Sequence, residues 1–237
     1  DASINIMRRI LQSSGVEVIH LGHNRSVNEL VMAAIDEDVH AIAVSSYQGG
    51  HVEYFKYIID LLNLNNHPDI KVFGGGGGVI TLTEIRELEN YGVAKIFSPH
   101  DGQSLGLQGI ISKMIELSDF DLNKKSLNSF ENFISGESKL LPKIITYIEH
   151  EKLTKEQERR LNSHLTKKNK CPVVGITGTG GAGKSSLTDE LVHRFRLYSY
   201  EPKIAIIAID PLRKRTGGAL LGDRIRMNAI TAPNVYM

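Results

Sequence analysis

HAIAVSSYQGGHVEYFKYIIDLL at residues 40–62, followed by IKVFGGGGGVI at residues 70–80, decides the fold. An apolar run ends in Ser45-Ser46 and gives way to a polar, glycine-bearing loop. Apolar residues at helical spacing come next, and a second apolar run ends in five glycines, Gly74–Gly78. Strand, helix and strand in that order make a βαβ unit. Working outward, the rhythm repeats. Ile4, Met7, Ile10 and Leu11 have helical spacing, and Val16–His20 reads as a strand. Val27–Asp36 is a helix opened by Ser26, with Glu29 as its capping-box partner. His40–Ser45 is a strand, and a helix runs from about Val52 to Leu64. Strand Ile70–Phe73, helix Thr83–Asn90, strand Ala94–Phe97 and helix Leu105–Leu117 complete the series. Such alternation predicts an α/β domain over residues 1–117, a doubly wound parallel sheet with helices on both faces. The series opens in a helix where this architecture starts with a strand, so a first strand is expected before residue 1.

Residues 118–170 interrupt the pattern. They begin polar and rich in Asn and Ser, and two short helices are expected at Leu141–Ile148 and Thr154–Leu165. From Lys139 to Lys170 there are nine Lys or Arg against four Asp or Glu. A solvated linker and a docking surface for a partner both fit that excess.

The rhythm returns over 171–237. Strand Val173–Thr177 leads into Gly178-Thr179-Gly180-Gly181-Ala182-Gly183-Lys184-Ser185, a complete G-x-x-x-x-G-K-S phosphate loop. Helix Ser185–Arg196, strand Lys203–Ile209, a helix near Asp223–Ile230 and a strand opening at Asn234 follow. Glycines let backbone N–H groups wrap a phosphate, and the helix amino end adds its dipole. Gly180, Gly181, Ala182, Gly183, Lys184, Ser185 and Ser186 are the nucleotide-binding candidates. Lys184 doubles as the catalytic one, because it reaches the β- and γ-phosphates. Ser185 is a Mg²⁺ ligand candidate, joined by Asp210 at the end of IAIIAID and Asp223 in GGALLGDRIRM; a turn residue and a helix cap are their plainer alternatives. Arg226 is a candidate nucleotide contact. No Asn-Lys-x-Asp guanine motif occurs. These 237 residues alone are therefore expected to bind nucleotide weakly and hydrolyse little.

Composition narrows the classes further. Lys and Arg number 28 against 27 Asp and Glu, a net charge of +1, which argues against nucleic acid as a partner. One cysteine, Cys171, excludes an internal disulfide and points to a reducing compartment, the cytoplasm. No apolar stretch reaches the 18 residues of a membrane span.

In an open α/β sheet, ligands sit beyond the carboxyl ends of the strands. Those ends read Ser45 to His51, Gly74 to Gly78, and Ser98-Pro99-His100-Asp101-Gly102. Each glycine costs about 0.5–1 kcal/mol relative to alanine in a regular element. A run of five is tolerated where something bulky lies against bare backbone, although a flexible surface turn would also explain it.

HLGHNRSVNELVMAAIDEDVHAIAVSSYQGGHVEYFKYIIDLL (20–62) with VFGGGGGVI (72–80) resembles the cobalamin-binding domain of the adenosylcobalamin-dependent acyl-CoA mutases. DPLRKRTGGALLGDRIRM (210–227) is similar to a MeaB-type G-protein chaperone, and the order matches the branch in which mutase and chaperone are fused. The resemblance implies a flavodoxin-like domain that takes the cofactor's nucleotide tail into a slot beside the sheet. Ser45 and Tyr47 fall on the family's Ser-x-Leu, with Tyr in place of Leu. The family's Gly-Gly falls within Gly74, Gly75, Gly76 and Gly77 in an ambiguous register, and Ser98, His100 and Asp101 approach the tail's ribose or phosphate. The cobalt-ligating histidine of the family motif would precede Asp1, so His23, His51 and His100 are read as ordinary histidines. For the intact enzyme the resemblance implies interconversion of isobutyryl-CoA and n-butyryl-CoA, with acyl-CoA bound by a domain outside this segment. It also implies GTP-dependent cofactor loading and a homodimer. A corrinoid carrier joined to a GTPase, or a methylmalonyl-CoA-type mutase, remains an alternative.

Overall fold

A computed structural model describes residues 2–122, 130–135, 140–167, 171–200, 202–209, 220–232 and 234–237. The first region alternates as expected: α1 (Ala2–Ser13), β1 (Val18–Ile19), α2 (Val27–Asp36), β2 (Ala41–Ser45), α3 (His51–Leu64), β3 (Lys71–Gly75), α4 (Leu82–Tyr91), β4 (Lys95–Phe97) and α5 (Pro99–Ser118). Strands β2, β3 and β4 form a parallel sheet in that order, with Ser45 opposite Gly75 and Gly75 opposite Phe97. Strands are parallel because a helix carries the chain back between them, and the sheet is buried on both faces as that geometry demands. One face packs Ile42, Val72 and Ile96 against Val31, Phe55, Ile58, Leu62 and Leu88. Opposite it, Phe73 packs with Ile110 and Met114, flanked by Met7, Ala41, Phe97 and Leu117.

Two departures matter. β1 is only Val18–Ile19 and pairs with β6 (Leu220–Leu221), parallel, rather than with the three-stranded sheet. Both of its residues are half-buried, so the short run recruits a ladder from far along the chain. α5 starts at Pro99 rather than near Leu105, because Ser98 and Asp101 form a capping box and proline suits the first turn. The residues from Pro99 to Leu105 are set off by Gly106, whose φ of 63° and ψ of 175° interrupt the helix.

The linker supplies α6 (Phe130–Ser135), α7 (Leu141–Glu149) and α8 (Lys155–Lys167). The sequence reading anticipated the last two but not α6. Thr154 and Gln157 cap α8 reciprocally, at 2.9 and 3.2 Å.

After Cys171, which is exposed, come α9 (Lys184–Tyr198), β5 (Ile204–Ala205), β6, and β7 (Val235–Tyr236). β5 and β7 pair in parallel, and a small core of Val192, Met227, Ile230 and Val235 lies beneath α9. Three sequence expectations change here. Val173–Thr177 is not a strand, and Val173 and Val174 are 92% and 74% exposed. A strand exists only through a ladder partner, and no described residue supplies one. Of Lys203–Ile209 only Ile204 and Ala205 pair. The helix expected near Asp223–Ile230 is two 3₁₀ turns, Asp223–Ile225 and Ala229–Thr231. Ala229 N–H is taken by the Asp189 carboxylate of α9 at 2.7 Å, which ties that second turn to α9.

Candidate functional sites at two glycine edges

The first edge gathers the loops that follow β2, β3 and β4. Ser46 N–H donates to Gly75 O at 2.9 Å, so the serine and glycine loops leave the sheet side by side. A Cβ built on Gly77 would lie 2.5 Å from Tyr47 Cε1, and Gly77 has φ of 55°; the tyrosine ring rests on bare backbone. A Cβ built on Gly78 would lie 3.5 Å from Pro99 Cγ at the start of α5, which brings the third loop alongside. Ser45, Tyr47, Gly75, Gly76 and Gly77 are thus one constellation, with Ser98 beginning directly after Phe97 of β4.

The glycines have different jobs. A Cβ on Gly74 would meet Ile96 Cδ1 and Phe55 Cζ, both at 2.4 Å, so that glycine exists for packing inside the sheet. Gly76 is likewise closed in, since an added Cβ would lie 2.4 Å from Ser46 O. A Cβ added at Gly75 would find Phe97 O nearest, at 3.6 Å, leaving ordinary space beside the exposed Ser45. A Cβ added at Gly49 or Gly50 would have nothing within 4 Å. Gly50, at φ 82°, starts α3 without a side-chain cap, so the first N–H groups of that helix face the edge unsatisfied by any side chain. Bare backbone, an exposed hydroxyl and an uncapped helix start fit a large polar ligand at this edge.

His51 closes the edge from behind. Its ring is buried, with Nδ1 3.2 Å from Gln48 O and Nε2 3.3 Å from Glu84 Oε1. Those contacts make it a structural histidine. Ser98 and Asp101 are engaged with each other. Ser98 N–H and Oγ–H donate to Asp101 Oδ2 at 2.8 and 2.7 Å, and Asp101 N–H returns to Ser98 Oγ at 3.2 Å. The hydroxyl's hydrogen bond, above all, holds the Asp101 carboxyl below the usual carboxylate range. His100 is exposed on the first turn of α5.

The second edge is the P loop. Gly181 and Gly183 adopt φ of 78° and 80°, a conformation that other residues rarely enter. Gly183 is the N-cap of α9 and offers no side-chain hydrogen bond. With no cap, the opening N–H groups and the dipole are left for an anion. Gly180, Gly181 and Gly183 have nothing within 4 Å of an added Cβ. Lys184 Nζ meanwhile donates to Thr179 O at 2.8 Å, a neutral acceptor that a phosphate oxygen outcompetes. Ser185 is half-buried at the start of α9, Ala182 and Ser186 are exposed, and Arg226 is exposed after the Asp223–Ile225 turn. Asp210 lies outside the described residues, as does the side chain of Asp223. Among the described residues no group of three or more His, Cys, Asp or Glu comes together to hold a metal, and no helix is long and apolar enough to cross a membrane.

Sequence reasoning missed the reciprocal caps at Thr81/Glu84 and Ser98/Asp101, although the S/T-x-x-D/E signal was present at both. It also missed that Gly74 belongs to the core.

Two family models match the chain, one over each region. The B12 binding domain model matches residues 1–101, and the model of the methylmalonyl-CoA mutase-associated GTPase MeaB matches residues 141–237. A fused isobutyryl-CoA mutase of Cupriavidus metallidurans is 59% identical over 100% of this chain, and one of Geobacillus kaustophilus is 56% identical over the same share. The chain spans 22% of the length of each. A putative GTPase of Pyrococcus horikoshii is 38% identical over 45% of the chain and 33% of its own length.

Proposed function

We propose, from a chain whose residues 1–101 match the B12 binding domain model and whose residues 141–237 match the MeaB GTPase model, that it is the cofactor- and nucleotide-handling part of a fused mutase. The whole protein interconverts isobutyryl-CoA and n-butyryl-CoA. One observation carries the reading. The likeness to fused isobutyryl-CoA mutases runs through all of the chain, including residues 102–140 between the two family matches.

Adenosylcobalamin, when bound, supplies the carbon-skeleton chemistry; the protein binds, orients and excludes water. In this reading Ser45 offers its hydroxyl to the buried end of the nucleotide tail, while Gly75 lets that tail pass close to backbone. Tyr47 lies over Gly77 and shapes the mouth of the slot. Ser98, Asp101 and His100 approach the tail's sugar or phosphate, with the Ser98–Asp101 pair also keeping α5 capped. At the P loop, N–H groups of Gly180 to Ser186 hold the phosphates of GTP, and Lys184 leaves Thr179 O to neutralise the β- and γ-oxygens. Ser185, Asp210 and Asp223 would hold Mg²⁺, and Arg226 would contact nucleotide. Residues 1–117, 118–170 and 171–237 are the working units. Acyl-CoA is bound elsewhere in the whole protein, which we take to be a cytoplasmic homodimer.

Full-length protein tests this. Adding cobalamin should give the base-off visible spectrum, adding GTP should release phosphate, and isobutyryl-CoA should equilibrate with n-butyryl-CoA. Indifference to cobalamin and GTP alike would remove the reading.

A further inference from the structure

Three carboxylates in a row, Asp36, Glu37 and Asp38, close α2. Exposed helix carbonyls make this end partially negative, so the position favours cations. Asp38 adds a backbone misfit. Asp38 N–H donates to Ile35 O at 3.1 Å and Val39 N–H to Ala34 O at 3.2 Å, which is a Schellman turn. Asp38 holds its left-handed position with φ of 45°, where glycine is the usual occupant. Burial also raises the Asp36 carboxyl to about 6, against the pull of Arg224. Carboxylates set against the helix dipole, one of them raised by burial, call for partners from elsewhere in the chain.

Two cations answer. Arg224 is buried, and its Nε donates to Glu37 Oε1 at 2.6 Å while Nη1 lies 3.9 Å from Asp36 Oδ2. Its Nη2 donates to Met237 O at 2.6 Å. From the linker, Lys143 Nζ lies 3.5 Å from Asp38 Oδ2 and also donates to Leu122 O. Further contacts grip α2 along its length. Tyr236 Oη–H donates to Asp36 O at 2.9 Å, and Arg25, just before the helix, donates to Ile225 O at 3.5 Å.

We propose that Asp36-Glu37-Asp38 is a two-cation joint through which the segment after the P loop and the helical linker bear on the cobalamin-binding domain, so that occupancy of either site alters affinity at the other. The proposal rests on the functional reading above. Arg224 directly follows Asp223 and stands two residues before Arg226, the nucleotide-facing candidates of that segment. A shift of that turn must therefore draw the guanidinium from its seat or carry α2 with it. A buried arginine separated from its carboxylate is strongly disfavoured, which leaves the joint closed or released with little between. α2 shares one core cluster with Phe55, Ile58 and Leu62 of α3, and α3 begins at the Gly50-His51 corner of the cobalamin edge. The joint thus meets both sites through rigid elements.

The test uses the full-length protein and measures cobalamin affinity by absorbance titration, with and without a non-hydrolysable GTP analogue. The wild-type ratio of the two affinities is expected on the order of 5–150-fold. Glu37→Gln and Arg224→Met should bring it close to 1 while GTP binding itself persists. Arg224→Lys, which keeps charge but loses the fork, should lower the ratio part of the way. Exchanging the pair as Glu37→Arg with Arg224→Glu should restore it. Single variants that melt earlier but keep the ratio would show a packing anchor only and overturn the joint. So would a wild-type protein that binds both ligands with a ratio of 1. A wild-type protein that binds neither ligand overturns the functional reading and the joint together, and so separates the two failures.

Discussion

The two glycine edges use the same parts, a chain leaving an extended run, bare backbone and a helix begun by left-handed glycine, and yet they are furnished differently. At the first edge Gly74, Gly76 and Gly77 are filled in by the protein itself. Phe55 and Ile96 cross Gly74, Tyr47 lies on Gly77, and His51 is sealed between Gln48 and Glu84. At the P loop Gly180, Gly181 and Gly183 face open space, and Lys184 is parked on a carbonyl of its own loop. Glycine thus marks a packing requirement in one place and ligand access in the other. A run of five looks the more specific signal in a sequence, but it is the one whose first member serves the core.

The contrast breaks most visibly at Lys184. Lys184→Ala is expected to lower GTP turnover of the full-length protein by about 10²–10³-fold, the usual loss when a phosphate-facing donor is removed. Its melting temperature should hardly move, because among the described residues the side chain is held by one exposed hydrogen bond, to Thr179 O. Phosphate release and thermal unfolding, measured side by side, check both halves.

Gly74→Ala should do the reverse. The new methyl lands on Phe55 and Ile96, and overpacking of this kind costs about 1–3 kcal/mol. A denaturant midpoint that stayed put would mean the core yields there.

Ser98→Ala is smaller, about 1 kcal/mol at neutral pH for a lost cap. The variant also changes pH dependence. Asp101 has its carboxyl held below 3.8 in the folded protein, so its contribution is complete above about pH 4 and disappears as pH falls through the lower folded value. Acid unfolding of Ser98→Ala should therefore be shallower in that range. No matching effect is expected from the start of α9, where Gly183 provides no cap to lose.

Smallest of all is Gly180→Ala, where an added methyl meets nothing within 4 Å. Unfolding free energy should change by less than about 0.5 kcal/mol, as at ordinary surface positions. Nucleotide affinity should nevertheless weaken, since the methyl occupies space reserved for phosphate. Equal losses of stability at Gly74 and Gly180 would erase the distinction between the edges.

What could be read from sequence was local. Ser26 and Glu29 announced the start of α2, alternation announced β2 to β4 with their helices, and the P-loop spacing announced α9. What could not be read depends on partners distant in the chain. Val173 to Thr177 carries Val, Val, Ile and Thr, all strand-favouring, but lacks a described neighbour to pair with, and Val18–Ile19 takes its partner from Leu220–Leu221. Gly74 could not be told from Gly75 without knowing that Phe55 and Ile96 converge on it. Nor could the acidic end of α2 be understood before Arg224 and Lys143 were seen beside it.

Cys171 has a practical consequence. It is the one thiol in these 237 residues, it is exposed, and it stands at the threshold of the segment leading into the P loop. A maleimide dye applied to this stretch would attach at one address, giving an optical gauge of that doorway without any engineered handle.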